Sequence, residues 1–145
     1  MKEHRLQQLV EWLKQEDLSG CFLTSTPNVF YISGFYTDPH ERLLGLLAFP
    51  NSEPAIVCPN MEVEQVKNTG WTYVIVGYND TDDPWQKVQE YVKLQGLNME
   101  KLAVEKEHMT VGRLHKLEEI FPGVKLAAAE EKMYQLRLVK DEEEV

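Results

Sequence analysis

The run Leu43-Leu-Gly-Leu-Leu-Ala-Phe49 sets the tightest limit on the fold. It is apolar throughout, with no polar alternation, so it reads as a strand buried on both faces. Such a strand needs a covering layer on each side. A turn at Asn51-Ser-Glu follows, then the return run Pro54-Ala-Ile-Val-Cys58. So short a connection predicts an antiparallel hairpin. After Asn60, strand-like and helix-like segments alternate. One hairpin ahead of alternating β and α segments predicts an α/β sandwich around a mixed sheet.

The other elements follow from periodicity and punctuation. Leu6, Leu9, Val10 and Leu13 recur at helical spacing, which predicts an amphipathic helix over about residues 2–17. Cys21 to Thr24 is a short buried strand after Gly20. Pro27 suits the first turn of a short helix, and Gly34 suits its end with φ > 0. Asn60 is the expected N-cap of a helix running to Asn68. Residues 72–77 are rich in β-branched and aromatic side chains and read as a strand. Asp83 and Pro84 start a helix that Gly96 stops, with Trp85, Val88 and Val92 as its inner stripe. Residues 101–104 form a strand. Thr110 caps a helix carrying Val111, Leu114, Leu117 and Phe121, which Pro122-Gly123 ends. Residues 124–127 form a last strand, and a helix starts near Ala129.

With 145 residues and 43% hydrophobic content, the chain is long enough for one domain with a real core. Its formal net charge of −9 repels phosphate backbones, and no Lys/Arg cluster interleaved with aromatics offsets that, so nucleic acid is not an expected partner. No apolar run has membrane-spanning length, and Met-Lys-Glu-His-Arg leads into an amphipathic helix without a signal core. A cytoplasmic location is therefore expected. Cys21 and Cys58 both lie in apolar strand-like runs and read as reduced core thiols. The acidic run Asp141-Glu-Glu-Glu144 would be solvated at a free end, and would start or continue a helix in a longer chain.

The densest chemistry lies in residues 36–42, where Tyr36, Asp38, His40, Glu41 and Arg42 crowd into a segment between two strand-like runs. Loops on a rigid scaffold are where binding groups usually sit. Just before it, Asn28-Val-Phe-Tyr-Ile-Ser-Gly-Phe35 resembles the Asn-x-x-Tyr-Leu-x-Gly-Phe signature of the amino-terminal domain of the creatinase, prolidase and aminopeptidase P family. Leu136-Arg-Leu-Val-Lys-Asp-Glu-Glu-Glu144 resembles the segment leading into the catalytic domain of those enzymes, and bacterial Xaa-Pro dipeptidases are the nearest in kind. The resemblance spans essentially the whole chain. It implies a ribonuclease-H-like motif, a three-layer sandwich with a mixed five- or six-stranded sheet. It also implies a non-catalytic domain over residues 1–132, with residues 133–145 starting a linker helix into a catalytic domain that is absent here. Two divalent metal ions (Mn, Co or Zn) belong to that catalytic domain, and no cofactor is expected in this chain. In such enzymes the partners are the chain's own catalytic domain, a second subunit in a homodimer and the peptide substrate. The amino-terminal domain of one subunit overhangs the catalytic cleft of the other, so the loop would face the partner's active site. Arg42 would then grip a substrate carboxylate, His40 would add one hydrogen bond and Tyr36 would wall the proline pocket.

Other chemistries are weaker. A nuclease of ribonuclease-H type needs carboxylates on its first strands, and Cys21-Phe-Leu-Thr24 and residues 43–49 offer none. His4, His40, His108 and His115 are scattered; the last two read as surface residues of a helix. Asp38, His40 and Glu41 could hold a cation only with further ligands from elsewhere in the fold, and otherwise form a solvated polar loop. Trp12, Trp71 and Trp85 read as packing residues. Three functions stay open: the capping domain of a proline-specific peptidase, a stand-alone module binding a small molecule or peptide, and an inactive peptidase-like scaffold. The length of the parent reading frame separates them. The isolated chain is expected to lack peptidase activity.

Overall fold

The structure, a computed structural model, describes residues 1–138. The acidic run 141–144 and the end of the second family motif lie outside the described residues. Helix α1 spans Glu3–Gln15 and buries Leu6, Leu9 and Leu13. Strand β1 is Gly20–Leu23. Helix α2, Thr26–Ser33, has Ser25 as its N-cap and Pro in its first turn. Strands β2 (Gly45–Ala48) and β3 (Ala55–Pro59) form the hairpin. A single 3-10 turn at Asn60–Glu62 leads into α3, Val63–Asn68. Then come β4 (Val74–Tyr78), α4 (Pro84–Leu94), β5 (Lys101–Val104), α5 (Val111–Ile120), β6 (Lys125–Ala128) and α6 (Glu130–Leu138).

The six strands lie in the order β4-β3-β2-β1-β5-β6. β2 is antiparallel to both its neighbours, and the other adjacent pairs are parallel. The pleat sends alternate residues to opposite faces, and along the central strands β1, β2, β3 and β5 both faces are dry. Cys21, Leu23, Leu46, Ala48, Ile56, Cys58 and Ala103 meet α1, α2, α3 and α6 on one side. Phe22, Leu47, Phe49, Ala55, Val57, Leu102 and Val104 meet α4 and α5 on the other. Burial on both faces is why residues 43–49 show no polar alternation.

Two expectations need correction. Asn60 does not cap a helix: it opens the 3-10 turn, and α3 begins at Val63 with no side-chain cap. Its side chain turns away, donating to Asn79 Oδ1 at 2.8 Å, and sits where a Cβ on Gly77 would lie 2.0 Å from Asn60 Oδ1. The tertiary contact outweighs the cap. Helix α5 is also shallower than its sequence stripe suggests. Val111 is 69% exposed, and only Leu117 of the helix is fully buried, with Phe121 just after it.

Gly34 ends α2 in the left-handed region, φ = +79°, with its N–H donating to Phe30 O at 2.8 Å. A β-branched side chain there is strained, and its Cβ would stand 3.2 Å from Met1 N. Gly34→Val is therefore expected to lower stability by about 1–3 kcal/mol, read as a lower midpoint in a urea or thermal melt. An unshifted midpoint would show that the turn relaxes at no cost.

Candidate functional site

Parallel β1, β3, β4 and β5 all end at one edge of the sandwich, where β2 begins. Open α/β sheets place their ligand crevices at this edge. The segment from Gly34 to Leu43 crosses it, between α2 and β2. Asp38, Pro39, His40, Glu41 and Arg42 line an open hollow of about 750 Å³ there, closed below by Pro59 and Glu62.

The loop is tied at its ends and free at its tip. Thr26 Oγ1 donates to Thr37 O at 3.3 Å, and Thr37 Oγ1 donates to Glu62 Oε1 at 2.7 Å. The backbone N–H of Arg42 donates to Pro39 O at 2.9 Å, and Arg113 Nη2 reaches Arg42 O at 3.5 Å. At the tip, His40 takes φ = +52° while its N–H donates to Asp38 Oδ1 at 3.3 Å. Asp and Asn side chains favour turns of this kind. His40 Nδ1 stands 3.9 Å from the same oxygen. Tyr36, Asp38, His40, Glu41 and Arg42 are all exposed.

The structure divides these five residues. Asp38, His40, Glu41 and Arg42 share the hollow. Tyr36 is not among its lining residues; it is 70% exposed and packs edge-on against Phe30, with ring centroids 5.9 Å apart. Arg42 pairs with neither Asp38 nor Glu41. Its Nη2 lies 3.2 Å from Asp80 Oδ1 and 3.4 Å from Asp80 Oδ2, across to the loop after β4. Among the described residues its Nη1 has only Met61 Sδ, at 3.4 Å.

A buried network lies beside the loop, built from residues too far apart in sequence for the local pattern to join. Glu105 follows β5 directly and is only 3% exposed. Its Oε1 accepts from the N–H groups of Thr24 (2.6 Å) and Ser25 (2.9 Å), and its Oε2 accepts from Asn28 Nδ2 at 2.8 Å. The carboxylate thus gathers the end of β1 and the start of α2 around the Asn of the family signature. A carboxylate can only accept, which fixes the Asn28 amide with its nitrogen toward Glu105. Asn28 Oδ1 is buried without a hydrogen-bond partner among the described residues. Thr24 Oγ1 also meets His108 Nδ1 at 3.0 Å, which places His108 on the turn before α5 and not on the helix.

Burial raises the Cys21 thiol well above its ordinary range, with the Glu105 charge as a second cause, and pushes the Cys58 thiol up to about 12. Neither is a nucleophile at neutral pH. Burial likewise pushes the Tyr78 phenol up to about 12, and it donates to Leu43 O at 2.7 Å. Among the described residues, no group of three or more His, Cys, Asp or Glu side chains is placed to hold a metal. Nor is any helix among them long and apolar enough to cross a membrane.

A two-face α/β sandwich with a signature helix and a polar loop at its crevice edge is the build of a prolidase-type amino-terminal domain. The sequence matches the Creatinase/Prolidase N-terminal domain over residues 5–139, and the chain belongs to that family. It is 40% identical over 142 residues to YkvY of Bacillus subtilis, covering 98% of this chain and 39% of that protein. It is 36% identical over 117 residues to the Xaa-Pro dipeptidase of Lactobacillus delbrueckii subsp. lactis, covering 81% of this chain and 32% of the relative. The chain thus spans well under half the length of these curated relatives. Among solved structures, it resembles a proline dipeptidase from Streptococcus pneumoniae with a TM-score of 0.87 and 31% identity, over 93% of this chain and 98% of the other.

Proposed function

We propose that this chain is the non-catalytic N-terminal domain of a metal-dependent Xaa-Pro dipeptidase, that it helps form a homodimer, and that it caps the partner subunit's active site. The observation that carries this reading is the match in extent: 98% of this chain aligns with 39% of a longer relative. In this reading, residues 133–145 begin the connection to the catalytic part, and α6, which leads into that stretch, packs Met133 and Leu136 on the core. The Mn, Co or Zn ions would belong to that further part, since the described residues offer no ligand group. Two buried free thiols, Cys21 and Cys58, fit a reducing cytoplasm.

The loop supplies the contact. Its ends are held by the domain, while Asp38, His40 and Glu41 project from it. Arg42 would receive the substrate carboxylate, and His40 would add a hydrogen bond. In the whole peptidase, Arg42→Ala and His40→Ala are each expected to lower kcat/KM about ten- to a hundredfold, or about 1.5–3 kcal/mol, with metal content unchanged. The Arg42–Asp80 contact favours a second reading, in which Arg42 merely clasps its own domain. Exposed pairs of that kind contribute about 0.2–1 kcal/mol. Arg42→Ala would then lower Tm slightly and leave the kinetics intact. Unchanged kinetics in both variants would refute the substrate-loop role.

A further inference from the structure

Arg42 and Asp80 are 38 residues apart in sequence and meet only because β3 and β4 pair in parallel, Pro59 beside Tyr78. The loop after β4 then falls beside the loop before β2. Arg42 passes over the acids of its own loop, Asp38 and Glu41, to reach this one. Both Asp80 oxygens approach a single nitrogen, Nη2, and among the described residues Nη1 meets only the thioether of Met61. The two-pronged fork that a carboxylate prefers is therefore only half used. The pair is wet, with 42% and 72% of the two side chains exposed, so breaking it costs little. The Arg42 backbone is held separately, through Pro39 O and Arg113. Releasing the side chain would leave the loop in place.

We propose that Asp80 is an internal stand-in for the ligand carboxylate: it occupies Arg42 in the empty protein and is displaced when an anionic peptide end arrives. This rests on the reading of Arg42 as the residue that receives the substrate carboxylate. Asp80 then acts twice against the ligand, by filling Nη2 and by repelling a second carboxylate brought beside it. Asp80 is in this sense a residue that sets affinity. It need not touch the substrate.

The test is a four-protein cycle in the whole peptidase: unaltered, Asp80→Asn, Arg42→Ala and the double variant, with an Xaa-Pro dipeptide as substrate. Asp80→Asn is expected to lower KM about two- to fivefold, the range of an exposed ion pair, and to do much less in the Arg42→Ala background, where only the direct repulsion is left to relieve. Asp80→Glu, which keeps the charge, is expected to keep the higher KM. If Asp80→Asn melts below the parent, Asp80→Ser replaces it in the cycle. An unchanged or raised KM in the charge-neutral variant, beside a raised KM in Arg42→Ala, overturns the role of Asp80 and leaves that of Arg42 standing. An Arg42→Ala enzyme with unaltered kinetics overturns both.

Discussion

Glu105→Ala is expected to cost about 3–5 kcal/mol of stability, a large share of what a domain of this size possesses. The carboxylate accepts three hydrogen bonds while 3% exposed. Its removal strands the N–H groups of Thr24 and Ser25 and the amide of Asn28, and a buried donor without an acceptor loses its full solvation. Water entering the space would recover part of the loss. Glu105→Gln should be milder. Its carbonyl can still accept from Thr24 and Ser25, while its amide faces the Asn28 amide donor to donor. Turning Asn28 over presents the now unpartnered Oδ1 to the new N–H and relieves that clash. A urea melt of the three proteins should therefore rank Glu, Gln, Ala in falling midpoint. Equal midpoints for Gln and Ala would show that Asn28 is not free to turn. An unshifted Ala midpoint would show that water serves these donors as well as Glu105 does.

The fold was legible because its signals were local. An unbroken apolar run fixed two-sided burial, a short turn fixed the hairpin, and Asp83-Pro84, Thr110 and Gly34 punctuated the helices as their chemistry dictates. Three of the misses share one cause, which is that the deciding partner is remote. Asn60 has the right chemistry for a cap, yet Asn79 and the bare backbone of Gly77 claim its side chain. Asn28 stood out as a signature residue, but its partner Glu105 lies 77 residues away. The position of an acid directly after β5, at the crevice edge, was the available clue. In the sequence the acids nearest Arg42 are Asp38 and Glu41, whereas the β3–β4 register decides that Asp80 reaches it first. The polar loop itself was visible. The separation of Tyr36 from the hollow was not, because it depends on packing against Phe30.

Gly45→Val should be nearly as damaging as Glu105→Ala, although strand propensity alone favours the change. Gly45 opens the central strand β2, and in a strand Val normally gains up to about 1 kcal/mol over Gly. In β1, Phe22 stands opposite Leu47, and its ring leans along the face over the next inward position of β2, which is Gly45. A Cβ there would lie 2.1 Å from Phe22 Cε1 and 2.7 Å from Cζ, far inside contact distance. The ring has nowhere to go. It is fully buried and meets Trp85 edge-on at 6.1 Å, in a layer that also holds Leu102 and Val104. Overpacking of this kind costs about 3 kcal/mol when neither backbone nor ring can yield, which outweighs the propensity gain. Gly45→Ala carries the same Cβ and should show most of the loss. Phe22→Leu removes the ring atoms in the way, so Gly45→Ala in that background should cost much less, a coupling of about 1–3 kcal/mol between neighbours. Additive losses in the double variant would place the strain elsewhere in β2, and a raised midpoint for Gly45→Ala would show that the sheet opens to admit the methyl group.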